Sequence, residues 1–382
     1  MEDAATDLAQ RPTLDLIRRT PKVLLHEHLD GGLRPATVLE LAAACGYEDL
    51  PESEPEALGA WFHAGADKGS LPEYLEGFRH TIAVMQTPEA LERVAYEFIE
   101  DMAEDNVVYA EVRFAPHFHT HDDLGLDGVM TAVLRGLRAG SRRFGVGFGL
   151  IVAAMRNESQ DLSTRLAELA VAYRNQGCVG FDLAGEEAGH PANHHLAAFQ
   201  LAKRMDFNIT IHAGESFGPE SIWQALQYCG AHRIGHGVRL LEDIVVYDRK
   251  VIRVGSLAQY VLDHRIPLEI CLSSNVHTGA AKSIEEHPFP YFFDKDYRVT
   301  LSTDNRLMSA TTMSKEYQLA VDNYGLGLDD LEQLSINAMK SAFVHYEERV
   351  SVIWEKIKPG FRTLRDEYGL GGPRNPYWDG SN

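Results

Sequence analysis

Eight short apolar runs, each followed by a stretch with helical spacing, recur along this 382-residue chain. They are Val23–His28, Val107–Phe114, Gly147–Met155, Val179–Leu183, Ile209–His212, Arg233–His236, Leu268–Leu272 and Val299–Ser302. Between them apolar residues return at three-and-four steps, as in Leu91-Val94-Ala95-Phe98-Ile99-Met102, and likewise over Leu162–Tyr173 and Leu196–Met205. Strands that alternate with amphipathic helices predict a parallel sheet, and eight such units predict a closed barrel. A doubly wound open sheet is the alternative, but its G-x-G-x-x-G turn is missing after the first run. The expected fold is therefore α/β, a single (β/α)8 TIM barrel over residues 1–382.

The charge balance narrows the partners. With 36 Lys+Arg against 56 Asp+Glu the chain carries a formal −20, which repels phosphate backbones and anionic lipid. Neither nucleic acid nor a membrane surface is expected; a small neutral substrate fits better. The first twenty residues are acidic and polar with no apolar h-region, and no run approaches the ~20 apolar residues of a membrane span. Cys45, Cys178, Cys229 and Cys271 show no C-x-x-C spacing, and Cys178 and Cys271 sit in or beside strand-like runs as buried free thiols do. A reduced, cytoplasmic setting is the expectation.

One connection is unusually long. More than seventy residues separate the first run from the second, and they include Leu71-Pro72-Glu73-Tyr74-Leu75-Glu76-Gly77-Phe78. Long insertions on a barrel rim are generally functional. Residues 47–80 are read as a lid segment, with Tyr74, Leu75 and Phe78 on one helix face, either covering a substrate or packing the insertion down. Residues 369–382, opening Gly369-Leu370-Gly371-Gly372-Pro373, read as a flexible tail.

Barrel enzymes carry their chemistry at the C-terminal ends of the strands. Here those ends hold His26 and His28, then Asp182 to Glu186, His212 to Glu215, His236, and Asp304-Asn305. Any one has an ordinary explanation as a core histidine, a helix cap or a turn. Five on one rim point to a site. In an extended segment His26 and His28 face one way and Glu27 the other. With His212 and Asp304 they supply three imidazoles and one carboxylate, a plausible zinc shell whose open position takes a water with a pKa lowered to about 7. Glu215, three residues after His212, could reach the site as an acid/base without binding the metal; His236 could hold or deprotonate the water.

The motifs PKVLLHEHLDG (21–31), EVRFAPH (111–117), DLAGEE (182–187), HAGE (212–215), IGHG (234–237) and LSTDN (301–305) occur in this order across nearly the whole chain. In them the chain resembles the adenosine deaminases of the metal-dependent amidohydrolase superfamily, the adenosine/AMP deaminase family. The resemblance implies one zinc per subunit on His26, His28, His212 and Asp304. It implies a water directed by His236 and Asp304 at C6 of adenosine or 2′-deoxyadenosine, with Glu215 protonating N1, ammonia leaving and the inosine product remaining. It places the Gly185 N–H on N3, and it likens Leu71–Phe78 to the family's apolar lid helix, with Tyr74 where a phenylalanine is usual. His28 also borders the substrate. Asp30 would take the ribose 5′-hydroxyl, and it argues for nucleosides because adenine and aminodeoxyfutalosine deaminases usually carry glutamate there. Capping of the turn before Gly31-Gly32 is its other reading.

One residue departs from the family pattern. Asn305 stands where many members have a second aspartate, and its amide can donate to purine N7 at any pH. Three further features are read as follows. His117, His119 and His121 alternate on what reads as a flexible polar loop, without the partners a second metal would need. Ser273-Ser274-Asn275 either lines the site or caps a turn, with the cap favoured. The H-x-E and P-C-x-x-C signature of the cytidine-type zinc deaminases is absent. Deamination of adenine or another 6-aminopurine, and a nucleoside-binding barrel without turnover, stay open beside the leading reading. No feature sets an oligomeric state.

Overall fold

The computed structural model describes residues 8–121, 123–247 and 250–372. The predicted runs all form strands: β1 (Lys22–Leu24), β2 (Val107–Phe114), β3 (Gly147–Met155), β4 (Cys178–Ala184), β5 (Asn208–Ala213) and β6 (Arg233–His236). An antiparallel ribbon follows, β7 (Ile244–Tyr247) and β8 (Lys250–Val254), and then β9 (Leu268–Ile270) and β10 (Val299–Leu301). The eight barrel strands pair in parallel in the order β1-β2-β3-β4-β5-β6-β9-β10. Beyond the strand ends β1 meets β10: the His28 N–H donates to Asp304 C=O at 2.7 Å and the Asp304 N–H to His26 C=O at 2.9 Å. The predicted (β/α)8 barrel is the fold observed. The ribbon is unforeseen, because an antiparallel hairpin inside one connection interrupts the strand–helix alternation that guided the reading.

Helices form where the sequence places both a cap and a stripe. Thr87 accepts from the Ala90 N–H at 3.2 Å and Pro88 opens the helix Pro88–Glu104, whose Leu91, Val94, Ala95, Phe98, Ile99 and Met102 are all buried. Each such large apolar side chain contributes about 1.5–3 kcal/mol on burial. The next helix, Leu126–Phe144, packs against it so closely that a Cβ on Gly136 would come within 2.1 Å of Glu92 O, which fixes glycine there. The long insertion folds into the helices Pro35–Cys45, Pro55–Ala66, Leu71–Leu75 and Phe78–Val84. At the other end, Gly369 (φ +63°) terminates the helix Lys358–Tyr368 and Leu370 is buried; residues 373–382 of the predicted tail lie outside the described residues. Among the described residues no helix is long and apolar enough to cross a membrane.

The barrel interior departs from the usual filling of branched aliphatic residues. Alternation along β2 turns Tyr109, Glu111 and Arg113 inward, where they meet Asp182 of β4, Arg233 of β6 and Glu269 of β9, all buried. Arg113 bridges Asp182 and Glu269 at 2.9 Å each and donates to Leu25 C=O at 2.7 Å. Arg233 pairs with Glu111 at 2.6 Å, also bonds Glu269, and lies 3.6 Å from the centroid of the Phe343 ring. This paired layer is the floor of the site.

Candidate active site

His26 and Glu27 lie just past β1, where bridges from Glu27 to Asp304 and from His28 to Arg113 keep the chain extended. The alternation holds as predicted. The rings of His26 and His28 lie 5.6 Å apart on one side, while Glu27 turns to the other and accepts from Arg306 at 2.9 Å and from Thr303. Gly31 clears the far wall, since a Cβ there would fall 1.9 Å from Asn305 Oδ1.

Four predicted ligands converge. His28 Nε2 is 3.1 Å from His212 Nε2 and 3.4 Å from Asp304 Oδ1, which is 3.2 Å from His26 Nε2. His26, His212, His236 and Asp304 each offer a donor atom within 4.8 Å of the others. The far sides of two rings are already committed: His26 Nδ1 faces Glu269 at 2.8 Å, and His212 Nδ1 faces Asp182 at 3.1 Å. Since carboxylates accept, those nitrogens carry the hydrogens, and the bare Nε2 lone pairs point inward. His26 Nε2 is buried with no hydrogen-bond partner. Convergent lone pairs on three imidazoles beside a carboxylate fit a divalent cation and suit one another poorly without it.

Burial, opposed by Asp304, drives His28 down to about 3 and keeps it neutral; burial also lowers His212. His26 goes the other way. Burial and Arg113 lower it, but the adjoining carboxylates of Asp304 and Glu269 prevail and raise it. Proton and cation therefore compete for that ring. Burial acts to raise the carboxyl of Asp182, but His212 and Arg113 hold it low; Arg113 and Arg233 do the same for Glu269.

His236 is set by a chain of contacts that the sequence did not reveal. The Phe289 N–H donates to His287 Nδ1 at 3.0 Å, so His287 Nε2 carries the hydrogen that Asn275 Oδ1 accepts at 3.2 Å. Asn275 Oδ1 also accepts from the Cys271 N–H at 3.3 Å, leaving the amide nitrogen to donate to His236 Nδ1 at 2.9 Å. The His236 hydrogen is thus on Nε2, facing the site 3.7 Å from Glu215 Oε2. Burial first, then His26, pushes its pKa well below the ordinary value. In that state the ring offers the site a hydrogen rather than a lone pair, which favours holding the water over deprotonating it. Ser274 Oγ donates to Asp304 Oδ2 at 2.6 Å, so Ser274 and Asn275 support the site and the favoured turn-cap reading is corrected.

Glu215 owes its place to Glu187. One Glu187 carboxylate accepts from the backbone N–H groups of Gly214, Glu215, Ser216 and Phe217 at 2.6–3.0 Å, clamping the turn after β5. Burial, with Asp304 and Glu187 adding to it, raises the Glu215 pKa well above the usual carboxylate range and so favours its protonated form. The remaining predicted residues flank this centre. Gly185 sits at φ +95° just past β4. Asn305 is buried with Oδ1 lacking a partner. Tyr74 is buried, its hydroxyl 2.9 Å from Ser309 Oγ and also against Ser274 and Asn305, whereas Leu75 and Phe78 are partly buried against the core. Asp30 is buried with Oδ1 unpartnered. Arg113, Glu269, Glu187 and His287 carry no role in the sequence reading, although the charges inside the apolar runs VVYAEVRF and LEICL demand buried partners and are the available signal for Arg113 and Glu269.

The family model described as "Adenosine deaminase" matches residues 21–358. The chain belongs to the adenosine deaminase family. It is 52% identical over 366 residues to adenosine deaminase 1 of Streptomyces coelicolor, spanning 94% of this chain and 92% of that one. It is 51% identical over 358 residues to adenosine deaminase of Mycobacterium tuberculosis, spanning 92% and 98%. Among solved structures, Arabidopsis ADAL complexed with IMP aligns with TM-score 0.77 at 29% identity, over 93% of this chain and 99% of that one. Adenine deaminase of Arthrobacter aurescens aligns with TM-score 0.80 at 24% identity, over 90% and 99%, and attests the fold alone.

Proposed function

We propose that this chain hydrolytically deaminates adenosine and 2′-deoxyadenosine, using one zinc held by His26, His28, His212 and Asp304. The observation that carries the mechanism is the pairing, on one rim, of convergent imidazole Nε2 atoms with a buried carboxyl, Glu215, whose burial favours its protonated form. The chemistry such an ion supplies is the activation of a water as a nucleophile near neutral pH.

The chain's own residues do the rest. Glu215 places its proton on purine N1, which withdraws electron density from C6 and prepares it for addition. The Nε2–H of His236 donates a hydrogen bond to the oxygen added at C6 and stabilises charge developing there. As its oxygen adds at C6 the water gives one proton to the carboxylate that N1 protonation leaves on Glu215; the C6 hydroxyl proton then passes to the exocyclic amine, which leaves as ammonia, and the 6-oxo product remains. Asn305 donates to N7 and the Gly185 N–H meets N3, orienting the ring, while Asp30 takes the sugar hydroxyl and so selects nucleosides. Residues 47–80 act as the lid, with Tyr74 at the purine edge beside Asn305, and Leu75 and Phe78 excluding water. The catalytic machinery forms one unit, since the rim draws on β1, β4, β5, β6 and β10 together.

The test compares adenosine, 2′-deoxyadenosine, adenine and aminodeoxyfutalosine side by side on protein of measured zinc content. The nucleosides are expected to turn over in proportion to zinc. Zinc-loaded protein that bound adenosine but released no inosine or ammonia would sink the reading.

A further inference from the structure

The end of the barrel away from the histidines holds a cavity that no role above uses. Arg298 immediately precedes β10, and its C=O accepts from the Leu268 N–H at 2.9 Å, so it stands where β9 and β10 begin. Beside it opens a cavity of about 490 Å³, a size at which small ligands are held. The wall carries Arg298, Lys340 from the helix Leu328–Ser341, Tyr346 and Arg349 from the helix Tyr346–Val352, and then Trp354 and Lys358. Pro359 has no N–H to continue the helical ladder, and the turn before it, Ile353–Ile357, widens to a π-helical one. Across that turn Lys358 Nζ lies 3.9 Å from the centroid of the Trp354 ring, which holds the ammonium at the wall.

Four cations share this wall, and among the described residues no acid lines it. In a chain with 56 acidic residues against 36 basic ones, that segregation runs against the overall balance. The like charges act on one another. Burial first, then Arg265 and Arg349, lowers the Arg298 pKa; burial, then Arg298, Lys358 and Arg265, lowers that of Lys340. Arg349 donates to Lys340 C=O at 2.9 Å, but its Nε, like that of Arg298, is buried with no hydrogen-bond partner. Crowded cations and unpaired buried donors each cost stability, and an anion with several acceptor oxygens would relieve both. The four cations come from four separate segments. A phosphate's tetrahedral oxygens can meet donors from several directions and match guanidinium forks, whereas the two oxygens of a carboxylate share one plane. Matching four cations also takes more than one negative charge.

We propose that this cavity binds a small multivalent phosphate, either pyrophosphate or the phosphate chain of a nucleotide, through Arg298 and Arg349 with Lys340 and Lys358 beside them.

Titration calorimetry on the zinc-loaded full chain, at constant ionic strength, tests this with pyrophosphate, ATP, inorganic phosphate and citrate. Pyrophosphate should bind at one site about ten-fold or more tighter than inorganic phosphate or citrate, and more weakly as salt rises. Arg298→Met and Arg349→Met should each weaken it by about ten-fold or more, the scale of one hydrogen bond to a charged group. Both variants keep the histidine cluster, so heat from pyrophosphate meeting the metal is common to all three proteins. The melting temperature of Arg298→Met with no added anion should hold, because one crowded charge is removed; a lost site is then not a lost fold. For the binding that the variants remove, ATP at least as tight as pyrophosphate identifies a nucleotide as the source, and weaker ATP identifies pyrophosphate itself. Wild-type affinity for pyrophosphate weaker than about 1 mM, or affinity unchanged in both variants, overturns the proposal. Citrate bound as tightly as pyrophosphate overturns it too.

Discussion

The floor of the site and its rim handle buried polarity in opposite ways. Below the histidines, Arg113, Arg233, Glu111, Asp182 and Glu269 are fully buried and joined into one ion-paired network. On the rim, Asp30 Oδ1 and Asn305 Oδ1 are buried with nothing to bond, and the Nε2 atoms of His26, His28 and His212 crowd together beside Asp304. Both arrangements carry a desolvation cost, but only the floor offsets it internally. The floor fixes ring orientation through Nδ1 of His26 and His212, whereas the rim leaves its bonding capacity for what enters. Variants on the rim should therefore change turnover with the fold intact, and variants in the floor should change metal retention and stability together.

The largest effect belongs to Glu215. Glu215→Gln keeps the shape and the Glu187 clamp but removes the proton that N1 receives. The expected loss in kcat is about 10²–10⁴-fold, with zinc content and melting temperature near wild type. Zinc falling in step with kcat would mean that Glu215 serves the floor's purpose instead.

Asn275→Asp tests whether the rim is also tuned by tautomer. A carboxylate at this position accepts from His236 Nδ1, drawing the ring hydrogen there and leaving Nε2 bare toward the site. A fall in kcat of roughly a hundred-fold at unchanged zinc content is expected. Wild-type turnover from this variant would show that the chain from Phe289 through His287 is packing alone.

The floor is tested by Arg113→Met. Removing one guanidinium strands Asp182 and Glu269 together, and breaking such a buried pair costs about 3–5 kcal/mol. The melting temperature should drop, and zinc affinity should weaken by about 10–100-fold because the carboxylates that aim His26 and His212 lose their anchor. Competition with a chelator measures the second effect. A variant that unfolds earlier yet holds zinc as tightly would separate the floor's stability from its control of the ligands.

The two regions also differ in how far they were legible from sequence. Histidines and acids at the ends of apolar runs stand out, because a strand end on a barrel rim is a fixed address and few residues there need to be polar for folding. His26, His28, His212, Glu215 and Asp304 were read in this way, and the structure brings them together. The floor was not read. Alternation marks Glu111, Arg113 and Glu269 as inward, but which charge meets which depends on strands up to 156 residues apart, as for Arg113 and Glu269. Asn275 and His287 were obscured differently, since their meaning lies in which atom carries a hydrogen, and only the closed set of contacts around them decides that. The β7–β8 ribbon escapes the sequence reading because Ile244-Val245-Val246-Tyr247, though strand-like, pairs with a neighbour inside one connection and breaks the strand–helix alternation.

The smallest expected effect falls where the insertion meets the rim. Tyr74 is buried and its hydroxyl bonds Ser309 at 2.9 Å, so part of the inner face of the insertion proposed as a lid is polar and tied to the segment after β10. Tyr74→Phe removes that bond and little volume. At about 0.5–1.5 kcal/mol for one neutral hydrogen bond, the lid should open more readily, and adenosine KM should rise by roughly two- to ten-fold while kcat holds. The sign is the informative part. If the hydroxyl ties down the lid, KM rises. If it only satisfies itself in a site that would bind a purine better when apolar, KM falls, and Tyr74 then belongs with the self-paired floor rather than with the open rim.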